Sequence, residues 1–150
     1  MQLREAQLSD IPELQRIRHS VRENVLSNPA LVTEPDYVEY LSRRGKGWVG
    51  EIDGQLAGFA IADLQGRSIW ALFVRPECEG RGLGRALHDA MLRWYFSQTQ
   101  ETVWLSTAPN TRAEGFYQRA GWKITGLTAS GELRFEMQHE VWQAATPPAD

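Results

Sequence analysis

Cysteine is almost missing from this sequence, with Cys78 the one example in 150 residues. That excludes an internal disulfide framework and any cysteine-based zinc cluster. Histidine is scarce as well, and His19, His88 and His139 are too widely separated to show a metal-ligating spacing. No uncharged apolar run approaches the ~18 residues that a membrane span requires, and the opening MQLREAQLSD has no signal-like apolar core. The expectation is a cytoplasmic protein without a membrane or metal partner. Positive charge is also in short supply. The formal net charge is −3, and Arg43, Arg44 and Lys46 form the one tight basic group, which reads as a solvated helix end complementing the dipole. A nucleic-acid surface, which needs a clustered basic face, is not expected.

What is present is ordinary for a globular chain, with 42% apolar and 23% charged residues. The length suits one domain over residues 1–143, with 144–150, containing Pro147 and Pro148, as a frayed tail. Residues 2–6 read as a strand. Ser9, Asp10, Pro12 and Glu13 have the makings of a helix start, and Ile11, Leu14, Ile17 and Val21 continue it at helical spacing to about residue 23. Ser27, Asn28 and Pro29 mark a loop, a second helix runs to about Arg44, and Gly45 and Gly47 close it. Asp53-Gly54 between two apolar runs predicts a hairpin with a two-residue turn, and Gln65-Gly66 turns the chain into a third strand. Strands over 102–106, 122–127 and 132–138 and a short helix over 112–120 complete the order β-α-α-β-β-β-α-β-α-β-β. This is a mixed α/β class with about seven strands and about four helices.

The most informative stretch is residues 68–94, SIWALFVRPECEGRGLGRALHDAMLRW. An apolar strand ends at Arg75-Pro76, because proline cannot donate to a ladder. Gly80, Gly82 and Gly84 then allow a tight turn and close backbone approach. Leu83, Ala86, Leu87, Ala90, Met91 and Trp94 follow at the spacing of one buried helical face. A helix beginning near Gly82 presents unpaired N–H groups and a partial positive charge, which suit a phosphate or pyrophosphate. Arg81 and Arg85 add full charges at the rim. A Walker loop needs Gly-Lys-Ser/Thr, which is absent, and a dinucleotide fingerprint needs glycine where Leu87 stands.

Val74-x-Pro76-x-x-Glu79-Gly80-x-Gly82-Leu83-Gly84 resembles the acyl-CoA loop of the GNAT family of N-acetyltransferases, with Glu79 where that family has Gln or Arg. Asn110-x-x-Ala113-x-x-Phe116-Tyr117-x-x-x-Gly121-Trp122 resembles the family's second signature at every position. The resemblance implies a single twisted mixed sheet flanked by helices, and transfer of acetyl from acetyl-CoA to a primary amine by direct attack in a ternary complex. It also implies that backbone from Phe73 to Arg75 pairs with the pantetheine arm, that Val74 and Trp104 face the arm, and that amides from Arg81, Gly82, Leu83, Gly84, Arg85 and Ala86 hold the pyrophosphate. Asn110 either caps its helix or hydrogen-bonds the arm. Tyr117 is either a core residue or the general acid for the departing thiolate, since a phenol of pKa ~10 can protonate a thiolate of basicity ~8.5. Some relatives have a catalytic glutamate near the start of the strand before the loop, where this chain has Ser68, Ile69 and Trp70. The base is then Glu23, Glu77 or a water relay. The acceptor, a small-molecule or peptide amine, is implied to lie against Arg22, Glu23, Asn24, Tyr37 and Tyr40. The last strand reads as an exposed edge for homodimer pairing. A non-catalytic acyl-CoA sensor on the same fold is the other reading of the motifs.

Overall fold

The computed structural model describes residues 1–24 and 32–146, and the predicted loop at 27–29 and the end of the predicted tail fall outside them. The structure comprises two compact units, Met1–Tyr95 and Phe96–Asp150.

The first unit contains four antiparallel strands in sequential order: β1 (Gln2–Glu5), β2 (Gly45–Ile52), β3 (Gln55–Asp63) and β4 (Ser68–Val74). Asp53 and Gly54 both have positive φ, at 53° and 79°, so the predicted hairpin turn has the backbone that matches strand twist. Every residue of β3 from Ala57 to Asp63 is buried, because sheet neighbours and helices cover it on all sides. One face carries α1 (Ile11–Ser20) and α2 (Glu34–Glu39), whose Ile11, Leu14, Ile17 and Tyr37 pack with Val49, Phe59, Ile61 and Ala71. α2 continues into a wide π-helical turn, Tyr40–Arg44.

The other face receives α3 (Leu83–Gln98). Gly50 and Gly58 are direct partners across β2 and β3, and together they leave a hollow that Leu83 fills. A Cβ on Gly50 would collide with Leu83 Cδ1, and one on Gly58 would come within 3.2 Å of Leu83 Cδ2 and 2.9 Å of the Phe73 carbonyl. Further along, Trp94 meets Trp48 edge-on at 5.7 Å. Burial on α3 is wider than the predicted stripe and takes in His88, Leu92 and Tyr95 beside Leu83, Leu87 and Met91.

Three sequence expectations need correction here. α1 stops at Ser20, with Val21 extended, so residues 22–24 are not helical. Gly45 and Gly47 do not close a helix but open β2, where Gly45 pairs with Asp63. The basic group is not simply solvated: Arg44 grips Asp63 at 2.9 Å, Lys46 meets Glu5 at 3.4 Å and Arg43 reaches Glu39 at 3.8 Å.

The second unit holds β5 (Val103–Thr107), α4 (Arg112–Arg119), β6 (Lys123–Leu127), β7 (Leu133–Met137) and α5 (His139–Ala145), with strand order β5-β7-β6. The last strand, β7, pairs on both sides, so it is not the exposed edge that the sequence predicts; the exposed strand is β6. α5, a fifth helix, is not foreseen in the sequence. It packs Trp142 on Phe96 at 4.9 Å.

One ion pair makes stability depend on acid. Asp10 is 9% exposed, accepts from Arg4 at 2.9 Å through both oxygens and also receives the Gln7 amide. The Arg4 guanidinium is the main reason its carboxyl lies below the ordinary value near 3.8. A depressed acid contributes stability that is complete above its unfolded pKa and is lost as pH falls through its folded one. We therefore predict that the melting temperature of Asp10→Asn falls less than that of the wild type between pH 5 and pH 2, as followed by circular dichroism.

Candidate active site

The loop that leaves β4 is built to expose backbone donors. After Val74, Arg75 donates its amide to Ala57 and its Nε to the Leu56 carbonyl, while its Nη2 meets Glu13 of α1 at 3.0 Å. A tight helical turn, Pro76–Cys78, follows. Gly80 and Gly82 take φ of 78° and 84°, in the left-handed region where a Cβ is costly, and nothing lies within 4 Å of where either Cβ would be. The backbone is therefore open on that side. The Ala86 amide donates to the Gly82 carbonyl at 3.1 Å, so the amides of Leu83, Gly84 and Arg85 are the first-turn donors that a helix leaves without an intrahelical acceptor.

These donors, with the helix dipole behind them, fit a pyrophosphate. Arg81 is exposed on the loop, and Arg85 sits one turn from Asp89 at 3.1 Å. Gly84 serves differently from the other two glycines, since it lies within the helix rather than at a left-handed turn. Phe73 and Val74 end β4 in register with Phe59 and Gly58, both partly buried.

In the second unit, Thr111 and not Asn110 caps α4: Thr111 Oγ1 accepts the Glu114 amide at 3.3 Å and donates to the Ala108 carbonyl at 2.8 Å. Asn110 precedes the cap with φ of 60°, a conformation asparagine tolerates well, and is exposed. Capping is thereby removed as an account of Asn110. Tyr117 is 6% exposed, with Phe116, Trp122 and Phe135 at 5.2, 5.6 and 5.8 Å. Burial raises the pKa of its phenol, so the hydroxyl keeps its proton at neutral pH. Such a group is a donor and an acid, not a base. Trp104 of β5 lies under the Arg134 guanidinium at 4.5 Å.

The predicted acceptor residues diverge. Arg22 and Glu23 are exposed just past α1, and Asn24 is partly buried with φ of 56°. Tyr37 is 2% exposed, edge-on to Trp70 at 5.2 Å, with its pKa pushed up to about 12 by burial and partly offset by the charge of Arg18. Tyr40 stacks on Trp70 at 4.2 Å and carries Arg44 over its ring. Glu77 is exposed. The sequence reading does not single out Arg18, whose guanidinium lies 4.1 Å from the centre of the Phe73 ring. One signal was available, since Arg18 falls four residues after Leu14 and seven after Ile11, on the apolar stripe.

Comparison with known proteins agrees with this geometry. The profile of the Acetyltransferase (GNAT) family matches residues 11–122. The peptidyl-lysine N-acetyltransferase YiaC of Escherichia coli is 32% identical over 96 residues, 63% of this chain and 62% of that protein. The peptidyl-lysine N-acetyltransferase YjaB of the same organism is 34% identical over 79 residues, 53% of this chain and 50% of that one. The chain thus spans between half and two thirds of the length of these relatives. Among solved structures, a ribosomal-protein-alanine N-acetyltransferase from Brucella melitensis has a TM-score of 0.75 at 21% identity, covering 92% of this chain and 99% of its own. The PaiA N-acetyltransferase from Thermoplasma acidophilum, in complex with coenzyme A, has a TM-score of 0.77 at 13% identity, with coverage of 91% and 98%. The family match and the shared fold together place this chain in the GNAT family of acetyltransferases.

Proposed function

We propose that this chain transfers an acetyl group from acetyl-CoA to a primary amine, with residues 1–143 acting as one catalytic domain. The observation that carries the reading is the start of α3, where left-handed Gly80 and Gly82, with nothing within 4 Å of either Cβ position, lead directly into the first-turn amides. When bound, acetyl-CoA supplies a thioester whose carbonyl carbon the amine attacks. The amides of Gly82, Leu83, Gly84 and Arg85 hold the pyrophosphate, with the Arg81 and Arg85 side chains at the rim. The Ala86 amide, expected from the sequence to join them, is instead taken by the Gly82 carbonyl. Backbone of Phe73 and Val74 hydrogen-bonds the pantetheine arm as a strand would. Asn110, released from capping, donates to the same arm.

In this reading Tyr117 gives its proton to the departing sulfur. The phenol is protonated at neutral pH, as a proton or hydrogen-bond donor to the thiolate must be, and its burial favours the neutral form. The attacking amine must first lose a proton, to Glu23, Glu77 or a water relay. We place the reaction in the cytoplasm, a reducing setting in which Cys78 remains a thiol.

Thiol release from acetyl-CoA across a panel of polyamines, amino acids, aminoglycosides and peptides tests the activity. Acceptor-dependent release is expected. No release with any amine of the panel, beside tight coenzyme A binding by calorimetry, would make the chain a sensor instead. Tyr117→Phe is expected to lower kcat by about a hundredfold and leave coenzyme A affinity within about twofold. Equal losses in both, or unchanged turnover, would assign Tyr117 to core packing.

Gly82→Val tests the cradle itself. The substitution strains a left-handed residue by about 1–2 kcal/mol and fills the open side, so a folded variant with coenzyme A affinity down at least about tenfold is expected. Unchanged affinity would reject the cradle.

A further inference from the structure

Arg18 is in a setting unlike that of the other arginines packed into the first unit. Arg4, Arg44 and Arg75 each meet a carboxylate at 2.9 to 3.0 Å, on Asp10, Asp63 and Glu13 respectively. Arg18 rises from the apolar stripe of α1, and its Nη1 is shielded from solvent with no hydrogen-bond partner among the described residues. Its guanidinium carbon lies 4.1 Å from the centre of the Phe73 ring, a cation–π contact that holds the planar fork beside the end of β4. A buried donor without an acceptor is costly to a fold. An arginine in this state is preorganised for an anion that the described residues do not supply.

We propose that Arg18 determines acceptor specificity by pairing with a carboxylate on the acceptor, so that the substrates are amines carrying a carboxylate within a few bonds of the nitrogen. This rests on the acetyltransferase reading, because Phe73 belongs to the strand end that meets the pantetheine arm, and the carboxylate would then lie beside the thioester. A bare lysine side chain would bring a second cation toward Arg18 and nothing for Nη1 to donate to. An amine with a nearby carboxylate satisfies the donor and is electrically neutral overall. Tyr37, near enough to feel the charge of Arg18 and kept protonated by burial, adds no competing anion.

Two sources supply such chemistry, a free amino acid and the amino terminus of a peptide that begins with an acidic residue. Matched pairs test both: γ-aminobutyrate against γ-aminobutyramide, and a tripeptide headed by glutamate against one headed by glutamine. Each is titrated calorimetrically into protein saturated with coenzyme A and assayed for thiol release from acetyl-CoA. One charge-assisted pair predicts about ten- to a hundredfold tighter binding of at least one acid than of its amide. Arg18→Met should erase that preference and raise the melting temperature by a few degrees, about what relief of an unpaired buried donor gives at this size. Arg18→Lys should keep part of the preference.

Which pair shows the effect identifies the source. Equal binding of acid and amide in both pairs, no binding by any of the four, or a preference that survives Arg18→Met would overturn the proposal. Arg18-dependent binding with no thiol release would instead overturn the acetyltransferase reading and leave the carboxylate site standing.

Discussion

Leu83 seated over the paired glycines Gly50 and Gly58 is the contact on which the proposed cofactor cradle depends. Two glycines directly opposite in β2 and β3 create a hollow one side chain deep, and any Cβ there would push Leu83 away. Because Leu83 is the first residue of α3, seating it fixes where the helix begins and hence where its first amides lie. The left-handed turns at Gly80 and Gly82 then bring the chain to that start without covering those amides. Sheet, helix terminus and loop are thus one arrangement, and the proposed anion binding would follow from where a single leucine packs.

The opposite face of the same sheet is organised by polar locks. Glu13 of α1 holds Arg75 at the end of β4, and Asp63 holds Arg44 where the second helical segment passes into β2. These pairs bring α1, Tyr37 and Trp70 against the strand end carrying Phe73. Arg18 is held in that wall by the apolar stripe it shares with Leu14 and Ile17, and among the described residues its Nη1 meets no acceptor. The unit therefore has a donor-rich helix terminus on one face and, on the other, a buried guanidinium nitrogen without a partner among the described residues, both next to the end of β4.

Much of this was legible in the sequence because it depends on local rules. The Asp53-Gly54 turn, the glycine loop and the start of α3 follow from backbone preferences that a few residues determine. Features fixed by tertiary packing were not legible. Gly45 and Gly47 read as a helix stop, yet they are strand residues, since β3 lies so close to Gly45 that no side chain fits. The last strand read as an edge, because nothing local reveals that β7 inserts between β5 and β6. Asn110 and Thr111 are both good caps, and only the geometry shows that Thr111 takes the role. The burial of Arg18 Nη1 without an acceptor among the described residues is likewise a property of the packed wall and not of any short segment.

The central claim is that the amides at the start of α3 hold the pyrophosphate of coenzyme A. Backbone amide shifts in a heteronuclear NMR titration with coenzyme A measure this residue by residue. The account predicts that the largest shifts fall on Gly82, Leu83, Gly84 and Arg85. Saturable binding of coenzyme A with those four amides unmoved would contradict it.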